Sequence, residues 1–333
     1  MAELRKDPIV GRWVVVNTEN PYLPNQFEIK PFEWKGTQGC PFCYGNEHLT
    51  PPEIEAISTN WRQPNTPGWT VRIVPNKFPA LRIEGNLDKQ GNGLYDFSNG
   101  IGAHEVIIDN PDHFKGIAEL NNWEVECILR AYRSRSLDLR KDIRFKYILI
   151  FKNVGAQAGA SLEHGHSQLI ALPMVPKNVK DEVLGAHHYY EFRERCIFCD
   201  IIAYELEVKE RIVWETEEFL AFCPLSSRFS FEVWIIPKEH LTDFGVIDDY
   251  KLSVLAKTLK EVIGRLKKVL GEHPYNYIIH TLPVNTDVHF GYHWHIEIMP
   301  KLIRIAGFEA GSGFYVVGTP PELAAKLLRE TTI

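Results

Sequence analysis

Lys152-Asn153-Val154-Gly155-Ala156-Gln157-Ala158-Gly159-Ala160-Ser161-Leu162-Glu163-His164-Gly165-His166-Ser167-Gln168-Leu169-Ile170-Ala171-Leu172-Pro173 is the stretch on which the reading of the chain turns. Its first part is a loop of small residues, whose exposed backbone N–H groups can approach phosphate oxygens closely. Its second part is an H-x-H pair running into an apolar segment that reads as a strand, where His164 and His166 share a face. A neutral imidazole just beyond such a loop can attack phosphorus near pH 7. The plainer alternative is a flexible loop followed by a strand with a solvent-facing histidine.

The pair recurs as His293-Trp294-His295, and the elements around it recur with it. Half one runs Cys40-Pro-Phe-Cys43, an apolar stretch over 69–81, Gly102-Ala-His104-Glu-Val, a helical segment, Tyr147-Ile-Leu-Ile-Phe, then His164 and His166. Half two runs Cys196-Ile-Phe-Cys199, Phe219–Phe222, Phe231-Glu-Val-Trp-Ile-Ile-Pro-Lys-Glu-His240, a helical segment, Tyr275–His280, then His293 and His295. From first Cys to first His of the pair is 124 residues in one half and 97 in the other, a difference that loops can absorb. From His104 to His164 is 60 residues, and from His240 to His293 is 53. We read a duplication, with halves at 1–175 and 176–333 joined through 173–195.

The helices are legible. Leu252, Leu255, Leu259, Val262 or Ile263, Leu266 and Leu270 keep a three-to-four spacing after Asp248 and Asp249, which suit a helix start. Leu120, Trp123, Cys127 and Ala131 repeat that spacing in half one. Val-, Ile-, Tyr- and Phe-rich runs over 146–151 and 231–236 read as strands. The expected class is α+β, with long antiparallel sheets and packed helices.

Two C-x-x-C pairs followed by histidines in the same order suit tetrahedral zinc, because thiolate and imidazole both match its borderline softness. The expected sets are Cys40, Cys43, His104 and His164, and Cys196, Cys199, His240 and His293. Four protein ligands close the coordination sphere, so both metals would be structural, the first holding the neighbourhood of His166. A dithiol redox pair is the competing reading, set aside because neither pair shows a thioredoxin-like helix after it. Cys127 and Cys223 read as buried small hydrophobes. His48, His113, His187, His188, His273, His280 and His289 show no partner pattern, which suggests surface or satisfied-core roles.

The segment Gly159-Ala-Ser-Leu-Glu-His164-Gly-His166-Ser-Gln168 resembles the active-site signature of galactose-1-phosphate uridylyltransferases, a branch of the histidine-triad superfamily. Leu4-Arg-Lys-Asp-Pro, Arg12-Trp-Val, Cys40-Pro-Phe-Cys43, Val74-Pro-Asn76-Lys-Phe78-Pro, Gly102-Ala-His104-Glu-Val and Ile305-Ala-Gly307-Phe308-Glu309-Ala-Gly311-Ser-Gly313 extend the resemblance over roughly residues 4–330. It implies a duplicated histidine-triad fold, a homodimer, and ping-pong nucleotidyl transfer from a nucleotide sugar such as UDP-glucose to a hexose 1-phosphate. It implies His166 as nucleophile and Gln168 as support for the transferred phosphoryl group. Asn76, Phe78 and Asn153 correspond to positions near the nucleotide, and Ser161, with Gly159 and Ala160, to positions near its phosphates. Gly307, Phe308, Glu309 and Gly311 correspond to a sugar-phosphate region that reaches the neighbouring subunit. Hydrolytic histidine-triad proteins carry a third histidine where this chain has Gln168, whose amide donates a hydrogen bond but shuttles no proton.

Three features lean toward relatives that move adenylyl groups, such as the ADP-glucose phosphorylase branch, with phosphate as acceptor. They are His-Gly-His-Ser-Gln where galactose enzymes have proline between the histidines, the second C-x-x-C, and Gly-Phe-Glu-x-Gly-x-Gly. The segment after Arg12-Trp-Val also lacks the arginines usual in uridylyltransferases. In half two, His293-Trp-His295-Ile-Glu297 and the loop Pro283–Gly291, without the run of small residues, read as a structural copy. Some relatives hold iron there through a carboxylate and three histidines, whereas the second C-x-x-C argues for zinc. A histidine-triad hydrolase and a non-enzymatic double-zinc scaffold are the remaining classes.

Composition sets the frame. The 333 residues carry a formal charge of −6, with 44% hydrophobic and 24% charged residues, which excludes a broad electrostatic grip on nucleic acid or anionic membrane. The polar N-terminus has no signal-peptide pattern and no run reaches membrane-spanning length, so a cytoplasmic enzyme is expected.

Overall fold

The computed structural model describes residues 2–30, 32, 36–285 and 291–333. His289 and most of the loop after Val284 therefore lie outside the described residues. The strands that matter for the site are β3 (Glu55–Ile57), β4 (Val71–Pro75), β7 (Ala103–Ile108), β8 (Tyr147–Val154) and β9 (His166–Leu172) in half one. In half two they are β10 (Ile212–Glu215), β11 (Phe219–Phe222), β12 (Val233–Pro237), β13 (Tyr275–His280) and β14 (His295–Pro300). All ten form one sheet in the order β10-β11-β12-β14-β13-β8-β9-β7-β4-β3. Read from the centre, each half repeats the same five-strand order, and β8 meets β13 antiparallel across the middle. The class is α+β, and the duplication is built into a single continuous sheet.

Outside it, β1 (Glu3–Lys6) pairs with β2 (Trp13–Val16), which takes β15 (Tyr315–Val317) in parallel, so the two chain ends meet. A small hairpin, β5 (Gln90–Asn92) and β6 (Tyr95–Phe97), is exposed.

Strand alternation divides the sheet into two faces. On one face lie α1 (Asn122–Leu139) and α4 (Asp249–Leu270), packed against each other over the main core, with α6 (Pro321–Arg329) beside α4. Helix α1 starts at Asn121, whose side chain accepts from Glu124 N–H while Glu124 answers the Asn121 N–H. Helix α4 starts at Asp248 and buries Leu252, Leu255, Leu259, Val262, Ile263, Leu266 and Leu270, as its spacing predicts. Trp123 departs from the expected face of α1 and is exposed. Val125, Ile128, Leu129 and Tyr132 supply the buried stripe instead.

The opposite face differs between halves. In half one, Cys40, Phe42, Trp69, Val74, Val106 and Ile108 form a small apolar cluster. In half two, α2 (Lys177–Arg193) and α3 (Ile197–Val208) cover the strands. The join over 173–195 is thus mostly helix, and Glu182 of α2 is buried against the sheet. Helix α3 begins at Cys196, so the second C-x-x-C does sit at a helix start, and the absence of such a helix no longer counts against redox chemistry there.

Candidate active site

His166 opens β9, opposite Ile108 of β7, and Gln168 is opposite Val106. Both face the half-one apolar cluster, whereas Ser167 and Leu169 point to the helix side. His166 is buried, and its Nδ1–H donates to the His164 carbonyl at 2.8 Å, which leaves the Nε2 lone pair as the reactive one. Burial, and then the nearby Lys152 ammonium, hold the imidazole below its usual range, so it is neutral near pH 7. Phe42 packs on the ring at 5.3 Å between centroids.

Beneath His166 lies a charged pair that the sequence did not announce. Lys152 of β8 is 2% exposed, pairs with buried Asp109 and donates to the His166 carbonyl at 3.0 Å. Asp109 also accepts from Ser167 Oγ at 3.0 Å, and Tyr132 of α1 donates to Ser167 at 2.5 Å and meets Tyr277 of β13. The backbone at His166 is thereby tied to α1 and to half two.

His104 does not join the first metal set. The antiparallel register puts His104 opposite Ile170, six residues past His164 and so about 20 Å along the ladder. Its Nδ1 accepts from Ala80 N–H at 3.1 Å, which places the ring proton on Nε2. That Nε2–H donates to Gln168 Oε1 at 2.8 Å, with Asn76 Nδ2 at 3.0 Å beside it. His104 therefore fixes the Gln168 carboxamide with its oxygen taken and its N–H groups without a partner among the described residues.

The fourth member is His113, which gathers with Cys40, Cys43 and His164 so that all ligand atoms lie within 4.8 Å of one another. A sequence signal existed: His113 precedes His164 by 51 residues, closer to the 53 between His240 and His293 than the spacing from His104. Cys196, Cys199, His240 and His293 form the second cluster, as expected. The two clusters match in detail. Phe42 lies 6.1 Å from His164 and Phe198 lies 6.2 Å from His293, while His113 to His164 is 5.1 Å and His240 to His293 is 5.3 Å.

Both clusters fit a tetrahedral ion. Bonds of about 2.3 Å to sulfur and 2.0–2.1 Å to nitrogen imply S···N edges of about 3.6 Å. The edges here run from 3.3 to 3.8 Å, every imidazole turning Nδ1 inward. His164 donates Nε2–H to the Asn110 carbonyl at 2.7 Å, and His113 Nε2 faces Glu163, the outer partners expected of metal-bound imidazoles. Burial holds the His164 imidazole down to about 4, in its ligating form. The Cys43 thiol is raised to about 11 by burial and then by Cys40, a bias that a bound cation reverses.

A third group gathers on the same face of half two, around His280, for which the sequence pattern suggests only a surface or core role. Glu182, His280 and His295 lie within ligating distance of one another. His280 bridges two carboxylates, Glu182 at 3.1 Å and Glu297 at 3.1 Å, and Arg228 pairs with Glu297. Against the cost of burial, those carboxylates raise His280 to about 10, so the group closes on itself as ion pairs.

The other expected residues divide. Asn76 N–H bonds the His104 carbonyl, and Asn76 Oδ1 accepts from the N–H of exposed Phe78. Asn153 receives Asn276, which also holds the Ala158 carbonyl and so shapes the loop carrying Gly159, Ala160 and Ser161. Gly155 and Gly159 have φ of +81° and +90°, and a side chain at Gly155 would meet Phe32 at 2.7 Å. Gly307, Phe308, Glu309 and Gly311 lie on an exposed short helix, α5 (Gly307–Ser312), which packs on β15; Glu309 shares a shallow cleft with Arg228 and Tyr315.

Residues 2–176 match the galactose-1-phosphate uridyl transferase N-terminal domain, and residues 182–329 match the C-terminal domain. The chain is 35% identical over 337 residues to an ADP-glucose phosphorylase of Arabidopsis thaliana, covering 99% of this chain and 93% of that protein. It is 30% identical over 342 residues to a galactose-1-phosphate uridylyltransferase of Thermotoga maritima, covering 100% and 99%. A crystal structure of the Arabidopsis ADP-glucose phosphorylase with bound ADP-glucose superposes with TM-score 0.84 at 34% identity, covering both chains fully. A uridylyltransferase structure gives 0.76 at 27% identity, covering 99% and 97%.

Proposed function

The chain belongs to the galactose-1-phosphate uridyl transferase family, and from that premise we propose how its own residues carry out nucleotidyl transfer from a nucleotide sugar. The observation that carries the reading is the buried His166 with Nδ1 committed to a carbonyl and Nε2 without a hydrogen-bond partner among the described residues. In the first half-reaction Nε2 attacks the α-phosphorus of the donor, a P–N bond forms, and the P–O bond to the sugar phosphate breaks. The sugar 1-phosphate leaves as an anion that needs no protonation. The positive charge left on the imidazole is stabilised through Nδ1–H and the His164 carbonyl. The Gln168 amide, its oxygen held by His104, donates to a phosphoryl oxygen. In the second half-reaction a phosphate oxygen of the acceptor attacks and His166 is released.

Asn76 and Phe78 line the nucleoside side, and Asn153 with Gly159, Ala160 and Ser161 the phosphate side. The two Cys2His2 clusters would hold zinc as closed structural sites that fix the chain on either side of each H-x-H pair. Thiolate clusters of this kind suit a reducing cytoplasm. The enzyme works as a homodimer, in which Gly307, Phe308, Glu309 and Gly311 of one protomer reach the partner's sugar phosphate; the exposure of Phe308 supports this. The halves divide at 175/176.

UDP-glucose with a hexose 1-phosphate acceptor is the first donor–acceptor pair. ADP-glucose with phosphate is the second, favoured by the match over essentially the whole chain to an ADP-glucose phosphorylase. The test is incubation with α-phosphate-labelled UDP-glucose or ADP-glucose, without acceptor, followed by intact mass. Acid-labile label from one donor, absent in His166→Gly, is expected and names the base. Steady hydrolysis with no label on the protein would overturn the transferase mechanism.

A further inference from the structure

The internal symmetry locates a second cleft. In half one, Val74 pairs with Val106 and Val106 with Gln168, and the chain after Val74 leads to Asn76 and Phe78. In half two, Phe222 pairs with Trp234 and Trp234 with Glu297, and the chain after Phe222 leads to Pro224 and Leu225. At this equivalent place lies a cleft of about 280 Å³. Its walls include Phe222, Trp234, Ile197, Ile201 and Tyr204, with Glu205 among the lining residues. Thus the half whose H-x-H is sealed, His295 being fully buried under stacked Trp234 at 4.6 Å, still keeps an open cleft.

A polar group in this cleft asks for a ligand. Glu205 is 3% exposed; its Oε1 accepts from Arg211 at 3.1 Å, while its buried Oε2 accepts no hydrogen bond from the described residues. A buried acceptor left so costs free energy that a ligand N–H or O–H recovers. Aromatic and branched walls suit a flat ring, and the volume lies just under the range of drug-sized pockets, the scale of one nucleoside. Asp7 and Asp200 outnumber Lys6 among the other charged lining residues, which disfavours a polyphosphate chain.

We infer that the second half binds a nucleoside or nucleoside monophosphate in the cleft between α3 and strands β11 and β12, its ring against Phe222, Trp234 and Ile201 and an N–H or ribose O–H on Glu205. The assignment rests on the proposed reading of the half-one surface around His166, Asn76 and Phe78 as the nucleotide site, to which this place is related by the register of the two halves.

The experiment is equilibrium dialysis of the full-length, metal-replete His166→Gly protein with radiolabelled adenosine, and separately uridine, with unlabelled UDP-glucose and ADP-glucose saturating the first site. About one nucleoside per chain is expected to remain bound. Ile201→Trp, which fills the cleft, and Tyr204→Ala, which removes an exposed wall, should each weaken that binding at least tenfold. In an otherwise unaltered chain both substitutions should leave labelling of His166 unchanged. No retention of either nucleoside once the first site is blocked, or retention indifferent to both substitutions, overturns the inference. Loss of His166 labelling in the unsubstituted protein would instead count against the transfer reaction, so the two readings fail separately.

Discussion

Replacing His104 separates what it does from what its place in the sequence suggested. In the structure His104 holds Gln168 Oε1 at 2.8 Å and lies far along the ladder from the first metal cluster. His104→Asn should therefore keep the full metal content, which for two occupied clusters is two ions per chain. The rate of nucleotidyl transfer to His166 should fall, because Gln168 is no longer held. One hydrogen bond contributes about 0.5–1.5 kcal/mol net, or roughly 2- to 12-fold in rate when it serves the transition state. Removing the Gln168 donor altogether, as in Gln168→Ala, sets the ceiling at about 10²–10³-fold. The assay pairs metal analysis with single-turnover labelling from an α-phosphate-labelled donor, and His113→Asn serves as comparison, expected to lose one ion. Loss of an ion from His104→Asn, or an unchanged labelling rate with Gln168→Ala strongly impaired, would refute the assignment.

Three further outcomes follow from the same geometry. Single-turnover labelling should stay constant from pH 8 down to the usual imidazole range and fall only below it, because burial and Lys152 lower His166 and protonation removes the Nε2 lone pair; Lys152→Met should move that fall to higher pH. The same Lys152→Met leaves Asp109 buried without its ammonium, a loss of about 3–5 kcal/mol visible in denaturant unfolding and eased when Asp109→Asn is added. His280 is raised in the fold, so its contribution to stability is complete below about pH 6.5 and declines as pH rises toward about 10. Melting temperature measured over that interval should fall in the parent chain and flatten in His280→Gln.

Much of this protein was written locally. Helix α4 declares itself because seven apolar residues recur on one face after a capping aspartate, and nothing distant is needed to form that stripe. The two C-x-x-C and two H-x-H pairs announced themselves as short motifs of specific chemistry, and their common order revealed the duplication. His166 and Gln168 could be assigned to one face because strand period is two. Pairing across the sheet was not local. Only the antiparallel register of β7 on β9 decided between His104 and His113, since Ile108 rather than His104 stands at the His166 end of the ladder. Only the stacking of β8 beside β9 brought Lys152 under His166 and onto Asp109. Only the packing of α2 brought Glu182 to His280 and His295, partners 98 and 113 residues away. Periodicity reports which face a residue takes; which residue it meets there is set by register and by helix docking, and those are properties of the whole sheet.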